Sequence, residues 1–191
     1  MKIASSIYSL ILFTLSHNLQ SQSIDSQKSI VNFELDNFSF NTVEGSFKQM
    51  TGTLNINSTN LTQSAINACI AAETVNTDNP KRDEHLRRED FFAVQKYPQI
   101  CFQSQSFSKT AAGYLVKGQL TLKGITKEVS IPFNLENGVF KGQLSINRLD
   151  FNVGTDYGTF TIGNEVRLSI SCFVDWAINC KYWLKKAARE F

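Results

Sequence analysis

Histidine is almost missing from this chain. Only two of its 191 residues are His, at positions 17 and 85. His17 falls in a leader-like segment, so a Ser-His-Asp or Cys-His catalytic arrangement would have to be built on His85. His85 sits in the charged run Arg82-Asp83-Glu84-His85-Leu86-Arg87-Arg88, where salt-bridge partners are at hand. A structural role is expected for it. No G-x-S-x-G elbow and no Gly-rich phosphate loop is present. The four cysteines, Cys69, Cys101, Cys172 and Cys180, form no C-x-x-C pair. Zinc sites bring their ligands in close pairs, so no metal and no cofactor is expected. An excess of charge is also lacking, with Lys plus Arg at 19 against 17 for Asp plus Glu. Nucleic-acid binders carry a clustered basic face, so no nucleic acid is expected as a partner.

No segment is apolar for the roughly 20 residues that a transmembrane helix needs. Ile3 to Leu15 is apolar but too short, and it follows the positive Lys2. With small residues at Ser21 and Ser23, residues 1–22 read as a signal peptide, the alternative being a buried N-terminal helix. The expected location is periplasmic or secreted. There is no internal repeat, low-complexity tract or linker, so one domain is expected over residues 23–176, followed by an extension over 177–191.

What the chain does have is phenylalanine, fifteen in all, within a hydrophobic share of 42%. Phe favours strands and lines apolar pockets. After the leader the hydrophobic period is two, the mark of half-buried strands. Val31, Phe33 and Leu35 alternate. So do Tyr114, Val116, Leu120 and Leu122; Val129, Ile131, Phe133 and Leu135; and Phe140, Leu144 and Ile146. The longest stripe is Ile162, Val166, Leu168, Ile170, Cys172, Val174 and Trp176. Lys123-Gly124 and Asn137-Gly138 are hairpin turn signals. Val43 and Phe47 share one parity while Leu54 and Ile56 share the other, which predicts one strand bent at Gly52. Ile66, Ala68 and Ile70 make a weaker stripe, and Ile100 and Phe102 begin another. About eight short strands result, the pattern of a sandwich or barrel.

One segment breaks that rhythm. Asn79 caps and Pro80 opens a short helix expected to end near Phe91-Phe92. Asp83 with Arg87 and Glu84 with Arg88 are spaced for ion pairs. Trp183, Ala187 and Phe191 give the tail a helical face. Two disulfides are considered: Cys69–Cys101, outward-facing on successive strands, and Cys172–Cys180. Gly118, Gly142 and Ala68 share the parity of large inward residues and so are expected to leave space. Arg148 has inward parity too. It would either pair with an acid such as Asp83 or Asp90, or receive the polar end of a ligand.

The order of several blocks resembles the YceI-like family of exported lipid-binding proteins. They include Ser29-Ile30-Val31-Asn32-Phe33 and Val43-Glu44-Gly45-Ser46-Phe47. The most specific runs from Asn76 to Arg87, followed by Asp90-Phe91-Phe92 and Lys96-Tyr97-Pro98. Gly118 to Lys127, Asn147 to Gly154 and Ile162 to Val166 complete the match over residues 24–176. Lys28 stands where the family usually has a His. The resemblance implies an all-β fold, an eight-stranded antiparallel lipocalin-like barrel with a short helical insert and here a C-terminal helical extension.

It also implies a non-enzymatic protein that binds, carries or stores a long apolar lipid inside the barrel: a polyisoprenoid, an isoprenoid quinone or a fatty amide. The residues expected around that ligand are Phe33, Phe47, Ile70, Phe91, Phe92, Ile100, Phe102, Leu120, Leu122, Ile131, Phe133, Phe140, Leu144, Ile146, Val166, Leu168 and Ile170. Arg82, Asp83, His85 and Arg148 are candidates for the rim or a head group. The competing readings are an enzyme acting on a lipid and a structural or stress-related protein with a filled barrel. A homodimer is compatible with the sequence, which specifies no assembly.

Overall fold

The computed structural model describes residues 22–37, 41–158 and 161–174. The expected leader (but for Gln22), the helical tail and Cys180 lie outside the described residues. Ten strands follow in order: β1 (Gln22–Ser23), β2 (Ile30–Asn37), β3 (Asn41–Phe47), β4 (Thr51–Asn55), β5 (Ala65–Ala71), β6 (Gln99–Thr110), β7 (Gly113–Leu122), β8 (Ile125–Glu136), β9 (Val139–Asn147) and β10 (Ile162–Phe173). They form one antiparallel sheet in the order β1-β4-β5-β6-β7-β8-β9-β10-β2-β3. The stretch after β1 joins two distant strands of that sheet. Ile24 N–H donates to the Gly52 carbonyl at 3.1 Å, and Asp25 N–H donates to that of Phe173 at 2.8 Å. The sheet thereby curls into a barrel. Ser29, buried, pins the same stretch by accepting from Phe173 N–H at 2.9 Å.

The strand count differs from the eight expected, for two reasons. β1 is only two residues long, too short to show any alternation. The segment expected to be one bent strand is two strands, β3 and β4, divided at Lys48–Met50, where Gln49 has φ 57°. They lie far apart in the sheet order. By the alternation of the antiparallel sheet β3 and β4 run in the same direction, so the chain bends at Gln49, three residues before Gly52, and passes there from the ladder with β2 to the ladder with β5.

Both turn signals form tight hairpins. Lys123 and Gly124 have φ 51° and 76°, Asn137 and Gly138 51° and 80°, the doubly positive pattern of turns that match strand twist. Gly118 and Gly142 do not leave space, contrary to expectation. A Cβ on Gly118 would lie 2.6 Å from the Phe102 ring, and one on Gly142 2.6 Å from the Phe133 ring. Phe33 covers Gly45 in the same way. Part of the heavy phenylalanine content is thus spent covering bare backbone on neighbouring strands.

The insert between β5 and β6 carries α1 (Pro80–Leu86), capped by the Asn79 side chain, which accepts from Arg82 N–H at 3.2 Å. It stops at Leu86, short of Phe91-Phe92, and the chain continues in turns. Glu84 pairs with Arg88 at 2.7 Å. Asp83 does not pair with Arg87; it turns inward and is buried. Leu135, assigned to an inward stripe, is 49% exposed, because it sits next to the Asn137-Gly138 turn at the end of its hairpin.

Candidate functional site: an apolar cavity under two covering segments

Inward residues of nine strands, β2 to β10, enclose a cavity of about 180 Å³. Phe33, Phe47, Ile70, Phe91, Phe92, Ile100, Phe102, Leu120, Leu122, Ile131, Phe133, Leu144, Ile146, Val166, Leu168 and Ile170 all line it. Phe140 does not: it is buried opposite Cys172 and Leu135, filling the closed end of the barrel. Val31, Leu35, Leu54, Ile66, Ala68 and Ile162 line it as well. Their alternation could have placed them there. Met50 and Val153 line it with no periodic signal, since they lie in connections.

The two ends differ. One is sealed by Ile24, Leu54, Val116, Ile131 and Phe140, none more than 6% exposed. The other is covered by two chain segments: the insert, through Leu86, Phe91 and Phe92, and the β9–β10 connection, through Arg148 and Val153.

Arg148 is 3% exposed and opens a short 3-10 turn after β9. Among the described residues no carboxylate meets it, so the expected pairing with Asp83 or Asp90 is overturned. Its Nε donates to the Gly163 carbonyl at 2.9 Å. Nη1 donates to the carbonyls of Val153, at 2.8 Å, and of Gly154. Nη2 donates to those of Tyr157, at 3.1 Å, and Ile162, at 3.0 Å. A guanidinium has five N–H groups, and all five are spent. Burial lowers its pKa from the ordinary arginine value, yet an arginine so placed remains charged. The carbonyl dipoles replace the counter-ion, and the cation gathers the whole connection around itself.

Asp90 ties the two covering segments together. Its Oδ2 lies 2.7 Å from His85 Nε2 and accepts from the Tyr157 hydroxyl at 2.9 Å. Tyr157 and His85 are themselves 2.9 Å apart. The Asp90 carbonyl accepts from Gly154 N–H at 2.8 Å. Phe91 stacks on Tyr157, centroids 5.2 Å apart, and meets the His85 ring edge-on at 5.0 Å. Burial pushes the Asp90 carboxyl up, but the His85 and Tyr157 hydrogen bonds outweigh it and hold the pKa below the usual value. A carboxylate with a lowered folded-state pKa stabilises the fold above its unfolded pKa of about 4 and loses that contribution as pH falls through the folded value. Acid titration of hydrogen-exchange protection at Tyr157 should therefore show loosening below about pH 4, absent in Asp90→Asn. The same acid response in both proteins would remove Asp90 from this role.

The other rim candidates are occupied elsewhere. Asp83 accepts from Thr77 N–H at 2.8 Å and Oγ1 at 2.6 Å, while Arg82 donates to Thr77 Oγ1 at 2.7 Å and to its carbonyl at 2.8 Å. They fix the entry to α1. Cys69 and Cys101 are direct partners on β5 and β6 and form a disulfide. Cys172 lines the cavity; burial pushes its thiol up to about 11, so it stays protonated. Among the described residues no group of His, Cys, Asp and Glu gathers as a metal site, and no helix is long and apolar enough to cross a membrane.

Known proteins resemble this chain in sequence and fold. The chain is 32% identical to Protein YceI of Salmonella newport over 157 residues, 77% of this chain and 81% of that protein. The solved structure of Burkholderia cenocepacia BcnA superposes with a TM-score of 0.72 at 27% identity, covering 78% of this chain and 98% of that one. A polyisoprenoid-binding domain from Saccharophagus degradans has the same fold, with a TM-score of 0.61 at 17% identity over 80% of this chain and 96% of its own. Residues 22–173 match the YceI-like domain model, and the chain belongs to the YceI-like family.

Proposed function

We propose that this protein binds and carries a long apolar lipid of the polyisoprenoid class inside its barrel, without chemistry, in a compartment outside the cytoplasm. The cavity wall carries the reading: of its 27 residues all but Arg148 and Cys172 have purely apolar side chains. A solved family neighbour is described as a polyisoprenoid-binding domain. The Cys69–Cys101 disulfide and the leader-like first residues support an oxidising destination. The driving force is burial, about 0.8 kcal/mol per methylene, so about ten buried carbons give roughly 8 kcal/mol before ordering costs. That term has no direction, so selectivity for chain length is weak.

Filling the cavity tests this. Ala68 lines it on β5. In Ala68→Phe the new ring displaces about three methylenes, roughly 2.4 kcal/mol or about fifty-fold in affinity. Stability should change by less than about 3 kcal/mol, the usual limit of overpacking. Mass spectrometry of solvent extracts should find lipid with the parent protein and little with the variant. Equal lipid in both, or none in the parent, sinks the proposal.

A further inference from the structure

A fully closed barrel has no sheet edges, but the wall of this one has a gap between β8 and β9. β8 pairs with β7 from Ile125 to Phe133. With β9 it pairs only from Phe133 to Glu136, opposite Gly142 to Val139. Continued in the same register, Pro132 would meet Gln143, Ser130 would meet Ser145 and Val129 would meet Ile146. None of these pairs forms. The sequence supplies a reason. Pro132 has no N–H to donate, and proline in a sheet belongs on an edge. It stands beside the last pair, Phe133 with Gly142, and β7 is paired with it on the other side. The open edge of β8 therefore faces β9. β9 in turn is paired with β10 from Val139 to Asn147. Each strand is held by its outer neighbour, so the gap is part of the ladder and not a frayed end.

The gap is a window. The Phe133–Gly142 pair bounds it towards the sealed end, and the 3-10 turn through Asp150 and the buried Phe151 bounds it at the other. Its rim is polar, with Lys127, Glu128, Ser130 and Ser145 all exposed. Its floor is apolar and half-buried, made by Val129, Leu144 and Ile146. Leu144 and Ile146 also line the cavity. These two side chains are thus the partition between the cavity and the outside.

The covered mouth is a costlier way in. Parting the insert from the β9–β10 connection breaks the bond from Gly154 N–H to the Asp90 carbonyl and those of the Tyr157 hydroxyl to Asp90 and His85. It also unstacks Phe91 from Tyr157. At the window no main-chain pairing joins the two strands, and turning Leu144 and Ile146 aside is a change of rotamer.

Resting on the carrier reading, we infer that apolar chains pass into and out of the barrel sideways, through the window between β8 and β9, with Leu144 and Ile146 as its gate, while the covered mouth stays shut.

Bridging the window tests this. Ser130→Cys/Ser145→Cys places two outward thiols across it, and a short bismaleimide joins them. The control is the same variant with each thiol capped by N-ethylmaleimide. Cys172, buried and protonated, is spared, which mass spectrometry checks. The probe is retinol, an isoprenoid alcohol whose own emission reports burial. Loaded protein is mixed with phosphatidylcholine vesicles carrying an energy acceptor, and release is timed. Release from the bridged protein should be at least about ten-fold slower than from the capped one. Loading should slow by the same factor, leaving affinity unchanged. A second variant needs no cross-link: Val129 lines the window but not the cavity, so Val129→Trp should slow both directions at unchanged affinity. If bridged and capped proteins exchange retinol at the same rate, the chain travels by the mouth and this inference fails alone. If bridging or Val129→Trp speeds release and weakens affinity, the gap belongs to the binding wall and the inference fails as well. If the parent protein binds no retinol and yields no lipid on extraction, the carrier reading falls and takes this inference with it.

Discussion

Replacing Arg148 by Met should lower the melting temperature by about 10 °C, one of the two largest effects expected for any change in this protein. The five carbonyls that the guanidinium satisfies belong to residues 153, 154, 157, 162 and 163, so one side chain organises most of the connection from β9 to β10. Met fills a similar volume but donates nothing. Buried acceptors left without partners cost about 1–3 kcal/mol each, and some of these carbonyls will find water once the connection loosens. A net loss of about 3–5 kcal/mol is therefore expected, as when one partner is removed from a buried ionic contact. For a domain of this size each kcal/mol moves the melting temperature by about 2–4 °C. Arg148→Lys keeps the charge but has three donors in place of five, and should fall between the parent and Met. Thermal and chemical denaturation followed by circular dichroism measure both. Unchanged melting in Arg148→Met, with lipid binding lost, would mean that the side chain serves the ligand and not the fold.

That arginine also shows where reading the residues stops. Its inward position follows from parity with Phe140, Leu144 and Ile146, and a buried cation invites the search for an acid. Main-chain carbonyls have no sequence signature, so nothing in the residue pattern points to a cage of them. Asp83 fails for a related reason: its spacing from Arg87 suits an ion pair, yet Thr77 offers it two donors and takes it out of solvent. The stripes, by contrast, were readable because β7 to β10 each have a wet face and an apolar one, and a one-residue slip would expose the whole set. Parity puts Gly118 and Gly142 on the inward face, but which neighbour fills their space depends on strand register. β3 and β4 read as one bent strand because they run in the same direction, and the bend between them needs only one residue with positive φ, here Gln49, which carries no turn signature.

Reduction of the Cys69–Cys101 bond is the other large effect. The two residues are direct cross-strand partners on β5 and β6, 32 positions apart in sequence. The enclosed segment holds α1 together with Phe91 and Phe92, the residues over the cavity. Closing a loop of that length in the unfolded chain is worth about 3–4 kcal/mol on the chain-entropy account. The folded barrel already holds the two strands in register through its ladder, so the bond is expected to act on the unfolded chain and not on the cavity. Cys69→Ser/Cys101→Ser should therefore denature at markedly lower denaturant concentration, with a melting temperature about 10 °C below the parent. Its affinity for an apolar ligand at 25 °C should be unchanged. A reductant should lower the parent to the level of the variant and leave the variant where it is. If affinity falls together with stability, the bond is shaping the folded insert, and the entropic account is wrong for this protein. If neither falls, the ladder between β5 and β6 holds the ends of the insert together even in the unfolded ensemble, and the bond contributes nothing that pairing does not already supply.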